Sequence, residues 1–345
     1  MFNRHRWPLW HWHLELSSIC TLKCPRCPRT ELPDSLIQDQ LRLDFFLANF
    51  DRDMLGHVRR VTLCGDDGDP IYARDFLAIV HYFKSTDPSI SLQIITNGGY
   101  KDENWWRDLG SILNHYDEVH FSIDGSDQNI SERYRVNSDH ASSMLGMKTL
   151  ADSSYALISW DMIAFAFNEH DIDRCKELAK ANGCDQFQLT LSSKFGSKYP
   201  GYLINGKDDL EPSRHFLPKG YRFERKLTNM TGRSLPDNGA IAANIAAYAE
   251  HKDGKGIIPL CKIGTKGMFV NSRGYLIPCC WVGNRYNHDG YSRFIRDDNN
   301  IKMKGLESVL NADHWMEFFE NFYHMRECAD KCSMNLVDQS YATNW

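Results

Sequence analysis

Three cysteines crowd into Cys20-Thr-Leu-Lys-Cys24-Pro-Arg-Cys27, directly after a strand-like run from Trp12 to Ile19. A Cys-x3-Cys-x2-Cys triplet lets three thiolates converge on one inorganic cluster, and a cubane with only three protein ligands keeps one iron open. The spacing is not the ferredoxin run, in which further cysteines complete every iron. Nor is it a zinc ribbon, whose second Cys-x2-Cys hook follows roughly 15 to 20 residues on. Here the next cysteine is Cys64. The plainer reading is three buried or zinc-bound cysteines. On the cluster reading, the open iron is the functional centre, carried on a loop at the end of the first strand.

Behind this loop the chain alternates two patterns. Short apolar runs at 59–64, 91–96, 118–123, 155–165 and 185–191 follow the first strand at 12–19. Helical spacing separates them at Phe45 to Leu55, with Asp44 as N-cap, and at 171–182, where Ile172, Cys175, Leu178 and Ala179 share a face before Gly183. This alternation predicts an α/β fold with a parallel sheet and crossover helices, and it makes Cys175 a core residue. From Ser192 to about Asn238 the pattern stops. So long a connection reads as a lid or substrate-facing loop, or as a plain surface excursion. Helices are expected again at Ala240 to Glu250 and at Leu306 to Phe322, the latter with Leu306, Val309, Leu310, Phe318, Phe319 and Phe322 at core spacing.

A net charge of -5 leaves no footprint of a nucleic-acid binder. No run reaches the roughly 20 apolar residues of a membrane helix, and the start lacks an apolar signal core, so a cytoplasmic protein without a membrane partner is expected. In that reducing compartment eleven cysteines are not a disulfide framework. They fall into Cys20/Cys24/Cys27 and Cys261/Cys279/Cys280/Cys328/Cys332, with Cys64, Cys175 and Cys184 between. Two sets more than 200 residues apart suggest two metal sites in two domains.

The lead-in Leu14-Glu-Leu-Ser-Ser-Ile-Cys20-Thr-Leu-Lys-Cys24 resembles the first strand and cluster loop of the radical S-adenosylmethionine (radical SAM) enzymes, especially those with a C-terminal SPASM or twitch extension. One residue departs: Arg26 stands before the last cysteine, where an aromatic is usual. Gly68-Asp69-Pro70 resembles the family's Gly-Gly-Glu-Pro motif with Asp for Glu, Thr96-Asn97-Gly98 its Thr-Asn-Gly, and Ser122-Ile-Asp124-Gly125 its Ser-Ile/Leu-Asp-Gly. Alone, each is a turn; in register at successive strand ends behind the triplet they point to one site. The resemblance implies a partial (β/α)6 TIM barrel and a 4Fe-4S cluster on Cys20, Cys24 and Cys27. S-adenosylmethionine (SAM) would chelate the open iron, and Gly68, Asp69, Pro70, Asn97, Ser122 and Asp124 would hold it. An electron from a reductant such as flavodoxin or ferredoxin would then cleave SAM, and the resulting 5'-deoxyadenosyl radical would abstract hydrogen from a substrate. Arg133 and Arg135 offer a fork for the SAM carboxylate, with surface salt bridging as the expected role.

From Cys261 to Cys279 the chain reads as a hairpin turning at Asn271-Ser-Arg-Gly274, which brings two thiolates together. The stretch resembles the opening of the SPASM motif, and Cys328-Ala-Asp-Lys-Cys332 its Cys-x3-Cys close, without the Cys-x2-Cys pair that usually precedes it. The resemblance therefore implies one auxiliary 4Fe-4S cluster on Cys261, Cys279, Cys328 and Cys332, with Cys280 as the alternative ligand. Zinc suits four thiolates equally well. His11 and His13, at strand spacing on one face, read as structural. The expected division is a barrel over 1–191, a linker, lid and bridging helix over 192–254, and a SPASM/twitch-like domain over 255–345. Family members modify ribosomally made peptides or oxidise and rearrange small molecules. The first strand begins at Trp12, so no peptide-recruiting domain is expected before it, and a peptide substrate is preferred only narrowly. The alternative of another class is a non-catalytic iron-sulfur or zinc protein that binds a partner.

Overall fold

The computed structural model describes residues 9–192, 210–213, 219–223, 261, 267–321, 328 and 332. The expected helix at Ala240 to Glu250 and nearly all of the expected lid lie outside them. Strands β1 (His11–Leu14), β2 (Arg60–Leu63), β3 (Ser91–Thr96), β4 (Glu118–Ser122), β5 (Leu157–Ala164) and β6 (Gln186–Leu191) pair in parallel in chain order. β2 to β6 fall inside the apolar runs, and β1 begins one residue before its run. A β7 (Lys219–Arg222) lies antiparallel on β6, and β8 (Met268–Val270) with β9 (Leu276–Ile277) forms a hairpin whose β8 runs parallel to β1. Among the described residues the sheet thus has nine strands, mostly parallel.

The period of two along each strand separates an apolar face from a polar one. Trp12, Val61, Ile94, Phe121, Trp160 and Phe187 are fully buried among the helices. Trp12 meets Phe50 edge-on and Phe121 leans on Trp106. Helices Glu103–Ile112 and His140–Ser153 pack closely because Gly146 leaves room for the Trp106 indole, which a Cβ there would meet at 2.4 Å. The same core continues into the hairpin and the segment after it through Phe269, Ile277, Val282 and Trp315. Cys175 is fully buried, as its helical position predicts.

Three boundaries differ from the sequence reading. The first strand ends at Leu14, since Ser18 next turns its N–H and hydroxyl to Asp39 O (both 3.1 Å). The expected helix at Phe45 to Leu55 is two helices, Leu43–Asn49 and Arg52–Leu55. Arg42, not Asp44, is the first N-cap, and Asp51 starts the second helix by accepting from Met54 N at 2.9 Å. The helix expected at Leu306 to Phe322 is likewise divided, into Leu306–Leu310 and His314–Asn321. Its Val309 carbonyl accepts the Trp315 indole N–H at 3.0 Å instead of a next helical turn. The helix at Ile172–Ala181 ends before Gly183, whose φ of +80° is the left-handed stop its sequence promised.

Candidate active site

The cysteine triplet follows β1 on a loop that needs a left-handed residue, Arg26 (φ 64°), just before Cys27 caps the short helix Pro28–Glu31. Leu22 N and Asn97 Nδ2 approach the Cys20 sulfur at 3.4 and 3.7 Å. Burial raises the free Cys20 thiol to about 12 and Cys24 higher still. Cys27 adds to both shifts, so the three sulfurs lie within electrostatic reach of one another. Three neighbouring thiols with donors aimed at one sulfur fit a thiolate-bound cluster, whose binding would displace the protons that burial holds on. Among the described residues no group of three or more His, Cys, Asp or Glu side chains is close enough for a single metal ion.

The next strand ends close on this loop. A Cβ at Gly68 would lie 1.9 Å from Ser17 O, so only glycine lets the loop after β2 press against the chain leading to Cys20. Asp69 is buried, and its N–H donates to Ile19 O at 3.0 Å. Its Oδ1 accepts from Thr96 Oγ1 (2.8 Å) and Ile71 N (3.2 Å), and its Oδ2 accepts from Asn97 N (2.6 Å). A carboxylate offers about four lone-pair sites, which leaves one on Oδ2. Burial raises this carboxyl to about 6 against those hydrogen bonds. Pro70 opens the turn that brings Tyr72 OH to Gly99 O (3.0 Å) and Thr21 Oγ1 (3.1 Å). Asn97, held through its Oδ1 by Gly99 N at 2.9 Å, thus stands between the cysteine loop and Asp69.

At the end of β4, Ser122 is buried opposite Asp161 in β5. Asp124 is fully buried, with Oδ1 accepting from Ile163 N (2.7 Å) and Oδ2 from Arg135 Nε (2.6 Å). Arg135 is therefore no surface salt-bridger: it is the half-buried partner of the fully buried Asp124, and its charge is felt by Cys24. Arg133 stacks over Phe167 at 4.4 Å.

Other contributors escaped the sequence reading. On the polar face, His120 contacts Asp161 Oδ2 (2.8 Å) and Glu118 Oε2 (3.1 Å), and Arg60 donates to Glu118 Oε1 at 2.8 Å. Burial opposes a charge on His120, but the two carboxylates override it and raise the imidazole to about 10. The alternation Glu118, His120, Ser122 was the signal available for this polar face. His11 and His13 are structural, at 3.1 Å from Thr62 Oγ1 and 2.8 Å from Cys64 O. Glu15, an acid set between two leucines, accepts from Asp67 N at 2.7 Å.

In the C-terminal set, the hairpin turns at Asn271 to Gly274 (φ +87°) as expected. Cys261, Cys279, Cys280, Cys328 and Cys332 are all buried. Burial lifts the Cys279 thiol, and Cys280, Cys261 and Cys332 add to it; Cys328 is raised first by its hydrogen bond with Cys332. The sulfurs of Cys261, Cys279, Cys328 and Cys332 are thus near enough to act on one another's charge, without the close approach that a single metal ion needs.

No family model matches the sequence, and no curated protein does. Solved structures match its shape. SuiB of Streptococcus suis bound to S-adenosylmethionine has a TM-score of 0.56 at 12% identity, over 94% of this chain and 72% of that one. SuiB bound to precursor peptide SuiA gives 0.55 at 14%, over 92% and 67%. The enzyme anSMEcpe, with AdoMet and the Cp18Cys peptide, gives 0.52 at 16%, over 97% and 95%. The cysteine loop and the strand-end motifs described above thus belong to a chain with the fold of the radical SAM enzymes.

Proposed function

We propose that this protein is a radical SAM enzyme that acts on a ribosomally made peptide or protein. One observation carries the reading: Asn97 joins the cysteine loop and the Gly68-Asp69 loop, reaching Cys20 Sγ with its side chain and Asp69 Oδ2 with its backbone. Three of the four motif segments thereby meet at adjacent strand ends, where open α/β sheets bind ligands.

In this reading Cys20, Cys24 and Cys27 hold a 4Fe-4S cluster on a partial barrel spanning 1–191. When bound, such a cluster would supply the electron for reductive cleavage of SAM and so hydrogen abstraction from the substrate. Asp69 Oδ2 accepts a hydrogen bond from the SAM ammonium. Gly68 and Pro70 fix that carboxylate, Asn97 and Ser122 face the cofactor, and Asp124 holds Arg135 toward the cysteine loop. Cys261, Cys279, Cys328 and Cys332, with Cys280 as the alternative, hold one auxiliary 4Fe-4S cluster in a SPASM/twitch-like unit over 255–345. The peptide-bound neighbours favour a peptide over a small-molecule substrate. A flavodoxin- or ferredoxin-type reductant and a cytoplasmic setting complete the proposal.

Anaerobic reconstitution tests it. The protein should bind about eight irons per chain, by the stoichiometry of two cubanes. With dithionite it should convert SAM to methionine and 5'-deoxyadenosine. Cys24→Ala should abolish this cleavage, and removal of all three N-terminal cysteines should leave about half the iron. A fully iron-loaded protein that binds no SAM would overturn the proposal.

A further inference from the structure

The loop after β2 and the segment after Cys27 share a brace that comes from the far end of the chain. Arg285 lies just beyond the helix Cys280–Gly283, whose N-cap is Cys279. Its side chain is 3% exposed. Nε and Nη2 fork onto Asp67, with contacts of 2.6 to 3.0 Å. Nη1 donates to Leu32 O and Ser35 Oγ, both at 2.6 Å. One guanidinium thus binds the loop that carries Asp69 and the turn that follows the cysteine loop. A lysine cannot make that set of contacts, since it is a point charge without a planar fork.

Neighbouring contacts act in the same sense. Tyr286 OH donates to Glu31 Oε2, and Glu31 Oε1 accepts from Arg26 N at 2.9 Å, within the cysteine triplet itself. On the other side, the Glu15 carboxylate joins Asp67 N to Ser272 N and Oγ. The C-terminal segment therefore grips both halves of the proposed SAM site without lying between the motif residues.

We infer that Arg285 is a positioning residue for the SAM site: it sets the Gly65-to-Asp69 loop against the cysteine loop and so fixes where Asp69 presents its free lone pair. Its place six positions from Cys279 makes the C-terminal cysteine segment part of the SAM site's scaffold. The inference rests on the radical SAM reading, and the test separates the two.

Full-length protein reconstituted anaerobically is titrated with SAM by calorimetry, for the wild type, Arg285→Lys, Asp67→Asn and the double variant, with iron content and thermal midpoint measured on each. The expected result is at least a tenfold loss of SAM affinity for Arg285→Lys at unchanged iron content, with the thermal midpoint lowered but still well above the titration temperature. Asp67→Asn should lose a similar amount, and the double variant no more than the larger single loss, because both changes remove one contact. Wild-type protein that binds SAM alongside Arg285→Lys of equal affinity overturns the inference and leaves the radical SAM reading standing. An affinity loss that merely tracks lost iron overturns it too. Wild-type protein that holds iron but binds no SAM removes the reading beneath it.

Discussion

Glu15 and Ser272 are 257 positions apart, yet the Glu15 carboxylate accepts both the backbone N–H and the hydroxyl of Ser272 at 3.1 Å. The bond stitches the end of β1 to the turn of the β8–β9 hairpin inside the protein. Burial, followed by the nearby Asp67 charge, raises this carboxyl from 4.5 to about 7.

A carboxyl whose pKa is raised on folding binds its proton more tightly in the native state than in the unfolded chain. Its contribution is therefore most favourable below pH 4.5 and is lost as pH rises toward 7. Glu15→Gln should remove this slope. Urea unfolding at pH 5 and 7.5 should show the variant gaining on the wild type by roughly 1 to 3 kcal/mol across the interval. Parallel pH profiles for the two proteins would contradict the buried, protonatable state of Glu15.

Asp69 carries a different load. Asp69→Ala removes the acceptor of Asn97 N along with the proposed partner of the SAM ammonium, and one charge-assisted hydrogen bond is worth about 1.5 to 3 kcal/mol. SAM should bind about ten- to a hundredfold more weakly, with the iron content of the proposed N-terminal cluster little changed, since no cysteine is touched. Calorimetric titration that returns the wild-type dissociation constant would remove Asp69 from the site.

His120 carries a stabilising charge between two carboxylates. His120→Ala leaves the half-buried Asp161 and the buried Glu118 without the imidazolium between them, with Arg60 still on Glu118, and a loss of about 3 kcal/mol, the low end for breaking a buried pair, is expected. The folded-state pKa, near 10, lies above the unfolded value of 6.5. The contribution is therefore complete below pH 6.5 and disappears as pH climbs through 10. Denaturant midpoints at pH 6, 8 and 9.5 should converge between wild type and variant at the alkaline end; a constant gap would mean the imidazole is neutral throughout.

What the sequence made legible was local. β3 falls at Ser91–Thr96, the bounds of its short run, because Leu92 and Ile94 on one face and β-branched Ile95 and Thr96 suit a strand in the pleated sheet. The hairpin turn at Gly274 was readable because its left-handed backbone demands a residue such as glycine. The break at Asp51 was not, since the apolar spacing continues through it while a cap restarts the helix. Asp124 and Arg135 show the same limit in the site: eleven positions apart, they could be read as polar, but only the fold turns both inward. Arg285 had no signal at all, because its carboxylate partner lies 218 positions away.

The parallel pairing of β8 with β1 has a consequence for how the protein comes into being. β1 leaves the ribosome well before β8, so its second hydrogen-bonding edge stays open until Met268–Val270 emerges, after β2 to β6. An unpaired strand edge bearing Trp12 and Leu14 is a site for wrong association in the meantime. Among the described residues, the sheet is thus closed on that side only once the β8–β9 hairpin has left the ribosome. The cysteine loop hangs from this late-completed strand, so loading of the proposed cluster into a fully braced site would follow synthesis of the hairpin rather than accompany β2 to β6.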